Sequence, residues 1–255
     1  MNHSMENFLK YQADLTAKVS ALDDVIGLIF LGSAADHSRV DQYSDQDFFL
    51  VVKPGCAEAF RQNLDWLPNQ QDILLAPRET DHGLKVLYKN GLILEFAVFE
   101  DSELELATVN DYLVALDKQD IVPRMEKIRS RSNPKPFDFH RQFELVLSLV
   151  VIGVGRARRG ETIAADQHIK SYAVEKLLGL VRSQQPVGKS KADSLNSFRR
   201  FEFDYPNLSK HIAMHTLQPA EICAKGLVHL INTELELNQI QQDQLDQTKQ
   251  ILGWS

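Results

Sequence analysis

The stretch from Phe30 to Val52, "FLGSAADHSRVDQYSDQDFFLVV", constrains this chain more than any other. An apolar run ends in Gly32-Ser33, a polar loop of 11 residues follows, and a second apolar run opens through Asp45-Gln46-Asp47. Residues i and i+2 of a strand point to one face, about 6.5–7 Å apart at Cα. Asp45 and Asp47 should therefore converge at a strand entrance, where two carboxylates repel unless a divalent cation lies between them. All-oxygen ligation of this kind suits Mg²⁺, which also takes substrate phosphate oxygens. Gly32 permits close approach of a ligand to the backbone, and Ser33 offers a hydroxyl and an N–H to phosphate.

The rest of the first half reads as mixed α and β. Phe8, Tyr11, Leu15, Val19 and Leu22 recur at helical spacing, with Ser4 as an N-cap. Val25–Leu31 and Phe48–Val52 read as strands, Pro54-Gly55 as a break, Ala57–Leu67 as a short helix and Ile73–Ala76 as a further apolar segment. Lys85–Lys89 and Leu92–Phe99 flank Asn90-Gly91, which supplies the positive φ angles of a two-residue hairpin turn. The second arm carries Glu95 between Leu94 and Phe96. An acid in an apolar strand is costly to bury unless paired or metal-bound, and it could serve as third ligand or as general base.

Beyond "SRSNPKPF" (130–137), read as a linker, only helices are expected: Phe139–Arg159, Thr162–Arg182, Leu208–His215, Pro219–Glu236 and Gln239–Ile251. "SQQPVGKSKADS" (183–194) reads as a loop. The fold class is α+β, a twisted mixed sheet flanked by helices over residues 1–130, then a helical bundle over 131–255 that closes one side of a cleft.

The motif block resembles the nucleotidyltransferase superfamily that includes DNA polymerase beta, and is most similar to the antibiotic nucleotidyltransferases of the lincosamide and streptomycin type. "GSAADHSRVDQYSDQDFFLVV" is similar to their Gly-Ser…Asp-x-Asp/Glu block, and "LYKNGLILEF" to their third-carboxylate hairpin. "RARRGETIAADQHIKSYAVEKLLGLVR" resembles, more weakly, the helix pair that such enzymes place over the nucleotide. The resemblance implies that Gly32 and Ser33 hold a triphosphate, that Asp45 and Asp47 bind Mg²⁺, and that Glu95 is base or third ligand. It implies ATP or another nucleoside triphosphate as co-substrate, two Mg²⁺ ions in the loaded state, attack of an acceptor hydroxyl on the α-phosphorus, and release of pyrophosphate. Arg39 in the loop, and Lys170, Tyr172 and Lys176 in the helical half, are further candidates for nucleotide contact.

Composition bounds the partners. With 44% apolar residues the chain can build a core, and its formal charge of −7 disfavours nucleic acid. Two distant cysteines, Cys56 and Cys223, exclude a thiolate zinc motif and a disulfide framework. No signal-peptide pattern and no membrane-spanning run is visible, so a cytoplasmic monomer or homodimer is expected. "GVGRARRG" lacks the third glycine of a dinucleotide fingerprint and ends a helix instead of opening one; no Walker A or nucleophile elbow occurs. His211 and His215 have zinc-like spacing but no evident third ligand. The acceptor is read as a hydroxylated small molecule, with antibiotic resistance as one setting. Acids at Glu100, Asp101, Glu103 and Glu105 suit a cationic drug, or simply a solvated helix start. A protein or tRNA acceptor and a catalytically inactive nucleotide-binding module are the alternatives.

Overall fold

The computed structural model describes residues 5–131, 136–185 and 196–254. The chain divides into two units, Met1–Asn133 and Pro134–Ser255. The Ser4 cap, part of the expected linker and most of the loop after Ser183 fall outside the described residues.

The first unit is built on a six-stranded sheet in the order β3-β4-β5-β2-β1-β6. Its strands are β1 (Val25–Leu31), β2 (Gln46–Val52), β3 (Ile73–Leu75), β4 (Gly83–Tyr88), β5 (Ile93–Glu100) and β6 (Tyr112–Asp117). β2 and β5 pair in parallel and the other neighbours are antiparallel. Helix α1 (Met5–Ser20) buries Phe8, Tyr11, Leu15 and Val19, the stripe read from the sequence. That stripe packs on the sheet face formed by Leu28, Phe30, Phe48, Leu50, Leu94, Phe96 and Val98. On this face Phe48 and Phe96, register partners on adjacent strands, stack at 4.8 Å between centroids. The opposite face carries Ile26, Ile29, Val51 and Phe99 against Ile121, Met125 and Ile128 of α4 (Ile121–Arg131). Strands β1, β2, β5 and β6 thus distribute alternate side chains to two cores.

Several boundaries differ from the sequence reading. Gly32–Ala35 forms one helical turn, α2. α3 spans only Ala57–Gln62, because Asn63 is extended and Leu67 precedes Pro68, which disfavours helical backbone. The hairpin turn has three residues. Gly91 N–H donates to Tyr88 O (2.9 Å), Tyr88 N–H donates to Leu92 O (2.9 Å), and Gly91 (φ +88°) supplies a positive φ where Asn90 does not. This is the type I turn followed by a left-handed glycine bulge. β6 was not anticipated. It is an edge strand whose residues are mostly half-buried, so its apolar alternation is weak. α4 was not anticipated either. Its start is capped by Asp117, whose carboxylate accepts from the N–H groups of Ile121 (2.9 Å) and Val122 (3.0 Å).

The described residues of the second unit form helices: α5 (Phe139–Arg158), α6 (Thr162–Asp166), α7 (Val174–Gln184), α8 (Phe201–Asp204), α9 (Pro206–Thr216), α10 (Ala220–Glu234) and α11 (Gln239–Leu252). α6 and α7 are joined by a π-helical segment, Gln167–Ala173. Asp138 caps α5, and Asn238 with Gln241 forms a capping box on α11. One apolar cluster, with Phe143, Val150, Leu177, Ala224, Leu227 and Leu245 at its centre, holds this unit together. No helix of the described residues is long and apolar enough to cross a membrane.

Candidate active site

Asp47 stands on β2 with the same strand parity as Phe49 and Val51, so it projects from the α4 face of the sheet. Its parallel register partner on β5 is Glu95. Leu94 (0% exposed) and Phe96 (4%) turn to the α1 face, which leaves Glu95 on the same side as Asp47. Asp45 sits one step before β2, delivered by a tight polar turn. Asp41 N–H donates to Ser44 Oγ (2.9 Å), and Tyr43 N–H donates to Asp41 Oδ1 (2.8 Å). The result is a half-buried carboxylate trio: Asp45, Asp47 and Glu95 each offer one oxygen within 4.8 Å of the others.

The Gly-Ser loop lies against this trio. Gly32 has φ +54°, and a Cβ added there would stand 3.4 Å from Asp47 Oδ2. Glycine at this position therefore serves both a left-handed backbone and close approach to the carboxylate. Gly32 N–H donates to Asp111 O (3.1 Å), and its carbonyl accepts from Asp36 N–H (3.0 Å), which fixes the loop between β1 and the segment leading into β6.

Helix α1 supports both halves of the site through buried polar side chains. Gln46, between the two aspartates, is fully buried on the α1 face, and its Nε2 donates to Phe8 O (3.0 Å). Gln12 Nε2 donates to Ala34 O (2.9 Å), beside the Gly-Ser pair, while Gln12 Oε1 accepts from His37 Nε2 (3.0 Å). Sequence reasoning passed over all three. A glutamine placed where strand alternation demands an apolar residue was the available signal for Gln46.

Lys85 was also missed. It is the antiparallel register partner of Glu95, and its Nζ lies 3.2 Å from Glu95 Oε1 and 3.1 Å from Glu79 Oε1. Hydrogen bonds that it donates to Glu79 and then to Glu95 hold its ammonium above the ordinary lysine range.

The remaining candidates are placed as follows. Arg39 lies between Asp36 Oδ2 (3.4 Å) and Asp111 Oδ2 (3.2 Å), with its side chain 19% exposed. It is neither a solvated loop arginine nor one aimed freely outward, and it braces the Gly32 loop. Lys170 and Tyr172 occupy the π-helical segment of the second unit. Lys170 pairs with Asp166 at 3.0 Å, and Tyr172 accepts from Gln167 Nε2 (2.9 Å). Lys176 pairs with Glu175 at 2.9 Å. His215 packs against Gly226, and burial, then the neighbouring His211 and His229, pushes its imidazole below the usual range. Among the described residues the carboxylate trio is the one grouping of three or more potential metal ligands.

The acidic segment is not a free rim. Residues Asp101–Leu106 form a 3-10 turn closed by a Glu100–Glu103 capping box. Glu100 accepts from Gly55 N–H (2.8 Å), Asp101 pairs with Arg124, and Glu105 pairs with Arg131. Glu103 meets Arg61 (2.8 Å) and His82 (3.2 Å). Asp101, Glu103 and Glu105 are thus paired with basic side chains of the same unit, whereas Glu100 meets a backbone N–H.

The trio supplies oxygen donors only, with no sulfur or imidazole, and such a set fits Mg²⁺ in preference to zinc. Three carboxylates gathered at the end of two parallel neighbours, against a glycine loop, can bind a divalent cation together with the phosphates it carries.

No protein-family profile matches the sequence, and no curated protein does. Similar solved structures include an adenyltransferase and a nucleotidyltransferase-like protein. An aminoglycoside 6-adenyltransferase from Bacillus subtilis is 15% identical over 98% of this chain and 99% of its own, with a TM-score of 0.33. A nucleotidyltransferase-like protein from Exiguobacterium sibiricum is 14% identical over 88% of this chain and 74% of its own, with a TM-score of 0.35. CdnC of E. coli, solved in complex with HORMA-deltaN, is 12% identical over 91% and 92%, with a TM-score of 0.33. Superpositions this loose carry no argument about chemistry, which rests on the residues of the site.

Proposed function

We propose that this protein is a nucleotidyltransferase that moves a nucleoside monophosphate, AMP from ATP, to a hydroxyl group of a small molecule. The observation that carries this reading is the register pairing of Asp47 with Glu95, which gathers the three carboxylates within 4.8 Å beside Gly32. Asp45, Asp47 and Glu95 would hold Mg²⁺, which when bound neutralises triphosphate charge and polarises the phosphoryl oxygens. Gly32 lets the triphosphate approach the backbone, and Ser33 offers it a hydroxyl. Glu95 accepts the proton of the acceptor hydroxyl. The acceptor oxygen forms its bond to the α-phosphorus as the bond from that phosphorus to the bridging oxygen breaks, and pyrophosphate leaves.

The helical unit, with Lys170, is part of the same proposal as a contributor to nucleotide affinity. Pyrophosphate release from ATP and Mg²⁺, screened over small hydroxylated molecules with antibiotics among them, is the direct test. A full screen, with other nucleoside triphosphates included, that yields no release and no nucleotide binding refutes the reading. Loss of ATP affinity in a chain ending at Asn133 tests the role of the helical unit.

A further inference from the structure

The carboxylate trio has a cation beside it that belongs to the protein. Lys85 Nζ touches Glu95 Oε1 at 3.2 Å and Glu79 Oε1 at 3.1 Å, so one ammonium is shared between two acids. Its side chain is 42% exposed and that of Glu95 43%, so the contact is bathed in solvent and reversible. Glu79 is not part of the trio. It sits in the turn ahead of β4, where its N–H donates to Gly83 O (2.9 Å).

We propose that Lys85 is a resident counter-cation of the site, a positioning residue that occupies Glu95 in the metal-free protein and retires to Glu79 when a divalent cation takes that carboxylate. This rests on the metal-binding reading of Asp45, Asp47 and Glu95. A solvent-exposed ammonium–carboxylate pair is weak, and a divalent cation bound directly to three carboxylate oxygens outcompetes it. The competition still raises the metal concentration needed to fill the site. Glu79 moderates that competition, because it gives the displaced ammonium a second partner.

The two flanking residues should then act with opposite sign. Lys85→Met removes the competitor and should tighten binding of Mn²⁺ alone, followed by its electron paramagnetic resonance signal at fixed ionic strength, by about two- to tenfold. Glu79→Gln leaves the ammonium on Glu95 and should weaken Mn²⁺ binding by about two- to fivefold. Lys53→Met is the charge control. It lies six residues from Asp47, roughly 20 Å along β2, and should leave Mn²⁺ affinity unchanged. Asp47→Asn should abolish binding. An unchanged or weaker affinity in Lys85→Met, or an unchanged or tighter one in Glu79→Gln, overturns the counter-cation role while the Asp47→Asn result leaves the metal site standing. Failure of the wild-type protein to bind Mn²⁺ overturns the metal reading and this proposal with it.

Discussion

Asp47→Asn should make the metal-free protein more stable and the loaded protein inert. The trio places Asp47 within 4.8 Å of both Asp45 and Glu95. At that separation two unit charges repel by about 1 kcal/mol at the dielectric of water and about 3 kcal/mol at an effective value near 20. The half-buried site lies between those limits, and Lys85 offsets part of the field. Removing one charge deletes two of the three repulsive pairs, a gain of about 2 kcal/mol. For a unit of this size that corresponds to a rise of roughly 7 °C in Tm. In the wild type, Mg²⁺ with ATP at about 100 times Kd adds about 2.7 kcal/mol, an increment the variant should lack. Thermal melts with and without Mg²⁺-ATP should therefore cross, with Asp47→Asn above wild type when metal-free and below it when loaded. Pyrophosphate release with a competent acceptor should vanish in the variant. A variant that melts below wild type without metal, gains as much from Mg²⁺-ATP, or keeps its pyrophosphate release refutes the assignment.

Glu95→Gln, which keeps a carbonyl oxygen for the cation, should slow single-turnover transfer by about 10²–10⁴-fold and weaken Mg²⁺-dependent nucleotide binding less than Asp47→Asn does; an unchanged rate removes Glu95 from proton transfer, and a loss of affinity as large as that of Asp47→Asn makes it chiefly a metal ligand. In the second unit, hydrogen bonds from Arg158 and then Trp254 hold the Glu221 carboxylate down to about 2. A depressed carboxylate stabilises the fold above its unfolded value, and this contribution fades as pH falls from about 4.5 towards 2. The urea midpoint of wild type should drop more steeply over that window than that of Glu221→Gln, and equal slopes would discount the contact. A chain ending at Asn133 contains both apolar clusters of the sheet unit, so it should unfold cooperatively by circular dichroism; a non-cooperative melt would show that the unit needs the helical part.

The convergence of the carboxylate trio was legible because strand alternation is strict. Once Val25–Leu31 and Phe48–Val52 were recognised, the shared face of Asp45 and Asp47 followed. Glu95 between Leu94 and Phe96 likewise had one face available. What escaped was register. Observed partners across the β4–β5 hairpin mirror about Asn90, so that Lys85 meets Glu95 and Val86 meets Leu94. A two-residue turn at Asn90-Gly91 moves the mirror by half a residue and sets Val86 opposite Glu95, a slip that would expose a valine which is fully buried. The cation beside the third carboxylate was thus hidden behind one turn residue. The pairing of Asp101, Glu103 and Glu105 escaped for a different reason. Their partners Arg61, Arg124 and Arg131 come from other segments, and a single sequence does not reveal such distant neutralisation. The edge strand β6 was missed because its half-buried residues alternate too weakly to announce a strand.

The grip of helix α1 has a mechanical consequence. One helix holds the start of β2 through Phe8 O and the Gly32 loop through Gln12. Had the two been anchored to different elements, every thermal tilt of one anchor would change the gap between the Gly32 loop and the carboxylates. With a common anchor, a tilt carries both the same way and leaves their spacing unaltered. The site can ride on a moving helix and still present a fixed aperture. Gln46→Leu, which removes the hydrogen bond to Phe8 O while filling the buried position with an apolar side chain of similar size, would uncouple one side of that aperture and let its width fluctuate.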